Sequence, residues 1–315
     1  MDISVVIPTR NRASHLSRPL QALARQSFPR ERFEVLVVDN ASTDDTRDVA
    51  SEFGRAFPHF RLLSEAQAGA ARARNGGIRE SEGELVLLLD DDVIPDPRLL
   101  EEHWLAHQHH PESAILGRVA FPWEGTESPF RWVIIHRPEY LQSFRFDDPG
   151  NVPFNHFYSC NVSLPSSAFA RVGLFDEGFR SYGFEDTEFG YRLVRSGVRI
   201  VFNPQAEGLH DFQRTFIQFA ENRFQAGESF HRLLEKFPEL NSWSARQGSL
   251  HRRWIARGLG FLAFPLVPFF DSRPPILLRF LLPVLGRACA CHLQYRFWRG
   301  FAAASRATGA AEGSK

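Results

Sequence analysis

The 315-residue sequence is poor in cysteine, with only Cys160, Cys289 and Cys291. Three thiols do not make the paired framework of a small secreted fold. Cys289 and Cys291 are separated only by Ala290, with no second Cys or His pair at zinc-site spacing, so they read as buried small apolar residues suited to a reducing cytoplasm. Long apolar runs are missing too: no stretch reaches the ~20 uninterrupted apolar residues of a membrane span. Met1-Asp2 leads straight into Ile3–Ile7 without a basic segment, so no signal peptide is expected. Net charge is absent, 37 basic residues balancing 37 acidic ones, which argues against a nucleic-acid binder. Neither a G-x-G-x-x-G fingerprint nor a phosphate-cradling loop follows the first apolar run, which argues against a dinucleotide dehydrogenase and a P-loop enzyme.

The charge that is present is unevenly spread. From Asn241 onward ten arginines and Lys315 face only Asp271 and Glu312, a net of +9. An acidic body joined to a basic tail is a pattern that favours anionic membrane surfaces.

The first hundred residues alternate short apolar runs with helical patterns. Ile3–Ile7, Val35–Val38, Phe60–Leu63 and Leu85–Leu89 read as strands. Between them, helices follow Ser14 and then Ser42 or Thr43, and a third spans Ala70–Ile78. Pro19 falls inside the first helix, at its first turn or at a kink. Strands apolar on both faces and separated by helices imply a parallel sheet covered on both sides. Ligands of such sheets sit beyond the carboxyl ends of the strands. There the sequence puts Thr9-Arg10-Asn11, Asp39-Asn40 and Asp90-Asp91-Asp92.

Three adjacent carboxylates repel one another unless a cation offsets them. Hard oxygen ligands suit Mg²⁺ or Mn²⁺, which take phosphate oxygens as further ligands. An acidic turn leading into a helix at Pro97 is the structural alternative. A second acidic run, Glu185-Asp186-Thr187-Glu188, opens a helical pattern. It reads either as an acidic first turn with a Glu188–Arg192 pair or as a general base facing a substrate hydroxyl. His210, after the strand-like Ile200-Val201-Phe202 and a turn at Asn203-Pro204, is structural unless it joins a carboxylate-bound cation. On the helix after Gly69, Arg72 and Arg74 diverge, so one reaches a phosphate or base and the other is solvated.

Ile7-Pro8-Thr9-Arg10-Asn11-Arg12, Val37-Val38-Asp39-Asn40-Ala41-Ser42-Thr43-Asp44, Ala71–Ile78, Leu88–Asp92, Cys160-Asn161, Val172–Glu177 and Phe184–Glu188 resemble, in order, the motifs of family 2 glycosyltransferases. The resemblance covers roughly residues 3 to 215. It implies an α/β GT-A fold, a Rossmann-like and mostly parallel sheet flanked by helices, and an inverting transfer of a sugar from a UDP- or dTDP-linked donor to a hydroxyl acceptor. By position it places Asp39 at the base, with Pro8, Thr9 and Arg10 lining the nucleotide pocket and Arg74 near the base or phosphates. Asp90 and Asp91 face the ribose and diphosphate, Asp92 and His210 hold a divalent Mn²⁺ or Mg²⁺, and Asp186, beside Glu185, deprotonates the acceptor. Two positions depart from the pattern: Arg10 stands where an aromatic residue is frequent, and Phe184 where Gly is common.

The expected organisation is a nucleotide-sugar-binding part (1–115), an acceptor and catalytic-base part of the same domain (116–215), a C-terminal helical extension (216–301) and a disordered tail (302–315). The aromatic stretch from Gly117 to His156 reads as an acceptor surface or as an irregular core layer. The apolar blocks Gly258–Phe270 and Ile276–Leu285, flanked by arginines and by Trp254 and Trp298, read as a peripheral membrane contact through 250–300 on the inner face of the cytoplasmic membrane, or as helices packing on the catalytic domain or a second copy. Pro265, Pro268, Pro274 and Pro275 break any long helix there. The partners expected are a nucleotide-sugar donor and a glycan, glycolipid or other hydroxyl acceptor, in polysaccharide or glycolipid synthesis. A sugar nucleotidyltransferase and a catalytically silent membrane-associated assembly protein are the competing readings.

Overall fold

Four apolar runs become parallel neighbours: Ile3–Ile7, Val35–Val38 and Leu85–Leu89 are buried on both faces, and Phe60–Leu63 is a half-buried edge. In the computed structural model, which describes residues 1–121, 128–137, 144–247, 263–272 and 281–312, β1 (Ile3–Thr9) lies between β2 (Phe33–Asp39) and β4 (Leu85–Leu89), and β3 (Phe60–Ser64) is outside β2. All three pairings are parallel, with Thr9 opposite Asp39 and Asp39 opposite Ser64. The sheet continues through β7 (Asn161–Pro165), β6 (Ala114–Ala120), β8 (Ile200–His210) and β5 (Val93–Pro95). β7 runs antiparallel to β4 and β6, β6 and β8 are parallel, and β5 is antiparallel to β8.

Alternating strand residues feed two cores. Ile3, Val5 and Ile7 join Val35, Val37, Leu85 and Leu87 beneath Leu16, Leu20 and Leu23 of α1 (Ala13–Leu23) and Leu99 and Leu100 of α4 (Leu99–His109). Val6, Leu36, Val38, Val86 and Leu88 face Ala71, Ala73 and Ile78 of α3 (Ala70–Glu80), with Phe169 of α6 (Ser166–Val172) and Phe189 and Leu193 of α7 (Glu185–Arg195). Each fully buried side chain of this size contributes ~1.5–3 kcal/mol. Helix α3 sits tightly on β1: a Cβ on Gly77 would stand 2.3 Å from Val6 Cγ1.

Local chemistry shifts several boundaries. α1 begins at Ala13 rather than after a Ser14 cap, and Pro19 lies buried within it. α2 (Thr46–Gly54) starts beyond Ser42 and Thr43. Those residues instead latch the first two strand tips, since Asn11 accepts from Thr43 N at 2.8 Å and donates its own N–H to Ser42 Oγ at 2.9 Å. The turn expected at Asn203-Pro204 is an irregularity inside one strand. The ladder slips between Gly117↔Asn203 and Arg118↔Glu207, where Pro204 needs no ladder N–H.

By contacts the chain divides into two units. The first comprises Met1–Pro122, Phe144–Gly178 and Glu185–Phe212, so residues on both sides of position 115 build one sheet; the second comprises Trp123–Ser143, Phe179–Phe184 and Gln213–Lys315. Of the aromatic stretch, Phe144 and Phe146 pack as core against Phe202, Tyr158 and His156, while 122–127 and 138–143 lie outside the described residues.

The second unit contains α5 (Pro129–His136), α8 (Phe216–Lys236), α9 (Asn241–Gln247) and α10 (Leu282–Glu312). α8 and α10 approach backbone to backbone, because a Cβ on Gly227 would lie 1.9 Å from Phe297 O and one on Gly300 1.8 Å from Phe224 O. α10 runs through residues 302–312, where a disordered tail is expected from the sequence. Ala302, Ala303, Ala304 and Ala307 are the strongest helix formers, and their small size does not prevent a helix already nucleated upstream from propagating. Pro265 and Pro268 fall in the 3-10 segment Phe264–Phe269. Trp254, Pro274, Pro275 and residues 258–262 and 276–280 of the two apolar blocks lie outside the described residues. Among the described residues no helix is long and apolar enough to cross a membrane.

Candidate active site

The carboxyl ends of β1, β2 and β4 place three polar segments side by side, all within the first unit. Pro8 and Thr9 end β1 beside Asp39 at the end of β2. Asp39 is buried, accepting from Ser42 N at 3.1 Å and from Arg47 Nη1 at 3.0 Å. Arg10 is exposed and takes part in none of these contacts. Leu89 ends β4, and the chain turns through Asp90-Asp91-Asp92 into β5.

Asp91 and Asp92 share Arg12, and Asp90 has a separate partner. Asp91 Oδ2 accepts from the Thr9 hydroxyl at 2.7 Å, and its Oδ1 stands 3.5 Å from Arg12 Nε. Asp92 Oδ2 pairs with Arg12 Nη2, while its Oδ1 is 3.1 Å from His210 Nε2. β8 delivers His210 there by pairing it with Val93 of β5. Phe121 and Phe212 flank the imidazole, with ring centroids at 5.1 and 5.7 Å.

Asp90 turns the other way, to Arg74. Nη2 of Arg74 lies 3.1 Å from Asp90 Oδ1, and Nη1 lies 3.3 Å from Glu185 Oε1. A strand tip and the start of α7 therefore share one buried guanidinium. Arg72, the residue expected to be solvated, pairs with Glu177 at 2.8 Å. The reason is Asn75, which holds the Phe175–Glu177 segment against α3 through Phe175 N, Phe175 O and Glu177 Oε1.

Burial dominates the electrostatics. Burial opposes the charge on Arg74, but Asp90, Asp186 and Glu185 outweigh it and hold the guanidinium more firmly protonated. Burial raises Glu185 to about 7, Asp186 adding and Arg74 opposing. Asp186 is raised by the same burial, against Arg74 and the Ser159 N–H that binds its Oδ2 at 3.0 Å. Burial likewise lifts Asp91 to about 7, against the opposing charge of Arg12. Glu185 Oε2, Asp186 Oδ1, Arg74 Nε, Ser159 Oγ and His210 Nδ1 are buried without a hydrogen-bond partner among the described residues. Buried polar atoms without partners are rare in finished folds, and their concentration here fits a site built for a polar ligand.

Among the described residues no group of three or more His, Cys, Asp or Glu side chains surrounds a single point. Asp92 and His210 nevertheless suit a divalent ion. Neighbouring ligands of an octahedral ion at ~2.1 Å stand ~3.0 Å apart, and such ions complete their shell with phosphate oxygens and water. The 3.1 Å between Asp92 Oδ1 and His210 Nε2 matches that spacing.

The model of the glycosyl transferase family 2 matches residues 4–164, just over half of the chain. This chain belongs to that family. A second model, described as the N-terminal domain of galactosyltransferase, matches residues 146–215, which include Glu185, Asp186 and His210. Validoxylamine A glucosyltransferase of Streptomyces hygroscopicus subsp. jinggangensis is 34% identical over 232 residues, 66% of this chain and 54% of the relative. Glycosyltransferase AglE of Haloferax volcanii is 28% identical over 278 residues, covering 84% of this chain and 82% of its own. The chain spans about half the length of the validoxylamine A glucosyltransferases it matches, 54% and 51%. The fold is the GT-A fold, shared with residues 1–349 of Staphylococcus aureus TarS (TM-score 0.51, 20% identity, 95% of this chain and 90% of that one). It is also shared with the mannosyltransferase PcManGT of Pyrobaculum calidifontis, solved with GDP-Man and Mn²⁺ (TM-score 0.55, 21% identity, 98% and 75% covered).

Arg12, Arg47 and Ser159 are site residues that sequence reasoning passed over. The signal for Arg12 was its place three residues past a strand tip that neighbours an acidic one. Nothing in the local sequence singles out Ser159, whose contribution is a backbone N–H.

Phe184, where the family pattern has Gly, has φ 69°. This left-handed backbone explains the preference for glycine. The bulky side chain is held there by packing within the second unit, its ring 5.0 Å from Phe230 and 6.3 Å from Phe297.

Proposed function

We propose that the protein is an inverting glycosyltransferase that moves a sugar from a UDP- or dTDP-linked donor to a hydroxyl acceptor, in polysaccharide or glycolipid synthesis. The observation that carries this reading is the Arg74 bridge from Asp90 at a strand tip to Glu185 at the start of α7. It joins the strand-end carboxylates to a pair of carboxylates raised by burial.

In this reading Asp39, Pro8, Thr9 and Arg10 line the nucleotide pocket. Arg74, Asp90 and Asp91 face the ribose and diphosphate, and Asp92 with His210 holds Mn²⁺ or Mg²⁺. When bound, the ion offsets charge on the departing nucleoside diphosphate. Asp186 is the base: Ser159 N fixes one carboxylate oxygen at 3.0 Å and leaves Oδ1, which has no hydrogen-bond partner among the described residues, to accept the acceptor's proton. As the acceptor O–H gives its proton to Asp186, its oxygen bonds to the anomeric carbon. The bond from that carbon to the diphosphate breaks on the opposite face, and the electron pair leaves with the diphosphate. Glu185, tied through Oε1 to Arg74, holds the base's surroundings in place. A carboxylate shifted towards neutral pH is suited to this proton transfer.

Incubating the purified protein with a panel of sugar nucleotides and Mn²⁺ tests the reading by product. Release of nucleoside diphosphate supports it. Pyrophosphate release would point to a nucleotidyltransferase, and no turnover with any donor or acceptor to a silent assembly protein.

A peripheral contact with an anionic membrane through 250–300 belongs to the same proposal. It is supported by the exposure of Phe269 and Val284 in that segment and by the basic charge of the sequence after Asn241. Co-sedimentation with vesicles of anionic phospholipid tests it, and recovery of all the protein in the supernatant at low salt would remove it.

A further inference from the structure

We infer that Arg12 is a built-in competitor for the divalent cation, which makes cation binding depend on the nucleoside diphosphate. The inference rests on the metal-dependent reading above. Thr9 and Arg12 contact Asp91, and His210 and Arg12 contact Asp92, so the Arg12 guanidinium spans both carboxylates. Arg74 and Arg12 are held differently. Arg74 is sunk between Asp90 and Glu185 with 7% of its side chain exposed. Arg12 retains 25% exposure. Its backbone is pinned where α1 begins, N–H to Thr46 Oγ1 at 2.9 Å, leaving the guanidinium at the end of a long stem.

A divalent ion at Asp92 and His210 would meet the Arg12 guanidinium on the same carboxylate, and like charges that close repel strongly. A cation arriving alone must therefore displace Arg12 from Asp92 and leave it only its longer contact with Asp91. A cation arriving with a diphosphate brings the charge that Arg12 can pair with, in the forked geometry guanidinium groups make with phosphate. The carboxylates stay neutralised before the donor arrives, and the cation and nucleotide bind better together than either does alone. This linkage is reciprocal.

Titrating Mn²⁺ into the full chain, with free Mn²⁺ read by electron paramagnetic resonance, tests the idea with and without UDP. Wild type should bind Mn²⁺ weakly alone and at least about tenfold more tightly with saturating UDP. Arg12→Gln should bind Mn²⁺ alone about fivefold more tightly than wild type, while losing most of the gain from UDP. Arg98→Gln, the same charge change at an exposed residue that pairs with Glu101 and Glu102, should leave both values unchanged. Arg12→Lys keeps the charge but loses the fork that spans two carboxylates, and should fall between wild type and Arg12→Gln. If Arg12→Gln does not fold, Arg12→Lys decides alone. Unchanged or weaker binding of Mn²⁺ alone in the folded variants, beside UDP-assisted binding in wild type, overturns the inference. Absence of Mn²⁺ binding by wild type even with UDP overturns the metal-dependent reading itself, and this inference with it.

Discussion

Arg74 and Glu185 meet at 3.3 Å across 111 positions of sequence. Without Arg74 the acidic cluster would hold Asp90, Glu185 and Asp186 around buried polar atoms with no positive charge among them. The bridge therefore makes the acid at the start of α7 part of the same electrostatic unit as the strand-end aspartates. Its consequences are measurable.

Asp186→Asn preserves shape and removes the proton acceptor. Turnover is expected to fall by about two to four orders of magnitude, the scale of losing a general base. UDP affinity by calorimetry should remain within about threefold of wild type, because in the proposed reading the acid acts on the acceptor. Near-normal kcat would remove Asp186 from the role.

The raised carboxylates set the direction of the pH response. Glu185 stands at about 7 and Asp186 is also raised by burial, so the base becomes available as pH rises and kcat/KM should climb on an acid limb above the usual carboxylate range. Arg74→Gln removes the charge that opposes both shifts, and should move that limb to higher pH. Stability follows with the opposite sense. A carboxyl whose folded value lies above its unfolded ~4.3 binds more protons when folded, so its cost to stability grows as pH rises from ~4 to ~7 and is constant above that. Glu185→Gln removes this cost. Its melting temperature relative to wild type should rise between pH 5 and 8. A flat difference across that range would show that Glu185 is not raised.

Much of this site was legible because each strand ends where its apolar run ends. Val38-Asp39 and Leu89-Asp90 mark strand tips in the sequence itself, and a parallel sheet puts such tips together. The direction of each side chain was not legible. Arg72 and Arg74 are near-identical in sequence context, yet Glu177, brought in by the Asn75 contacts, takes the first and leaves the second for the acids. Such pairings depend on contacts a hundred residues apart. The continuous β8 also escaped notice, because Pro204 looks like a stop until the bulge beside Gly117 removes the need for its N–H.

Asp92 and His210 should act together toward the cation. Asp92→Asn and His210→Ala are each expected to weaken Mn²⁺-dependent UDP binding by about tenfold or more, in line with loss of a ligand or its support. UDP binding without metal should change much less. If His210→Ala binds Mn²⁺ and UDP as wild type does, the imidazole is structural and its proximity to Asp92 is only a hydrogen bond.

Phe184 gives a test in which the usual ranking of two residues reverses. Alanine is normally the better tolerated replacement, since glycine costs about 0.5–1 kcal/mol of extra chain entropy in a helix or strand. At φ 69° the balance changes. An L-residue in the left-handed region bears ~1–2 kcal/mol of strain that glycine does not. Both Phe184→Ala and Phe184→Gly lose the ring contacts with Phe230 and Phe297, so both should be less stable than wild type. Only the glycine variant recovers the strain. It is expected to unfold at the higher denaturant midpoint of the two, by an amount equivalent to about 0.5–1 kcal/mol. Chemical denaturation with equal m-values for the two variants is the measurement, and an alanine variant as stable as the glycine one would mean that position 184 does not hold the left-handed backbone in solution.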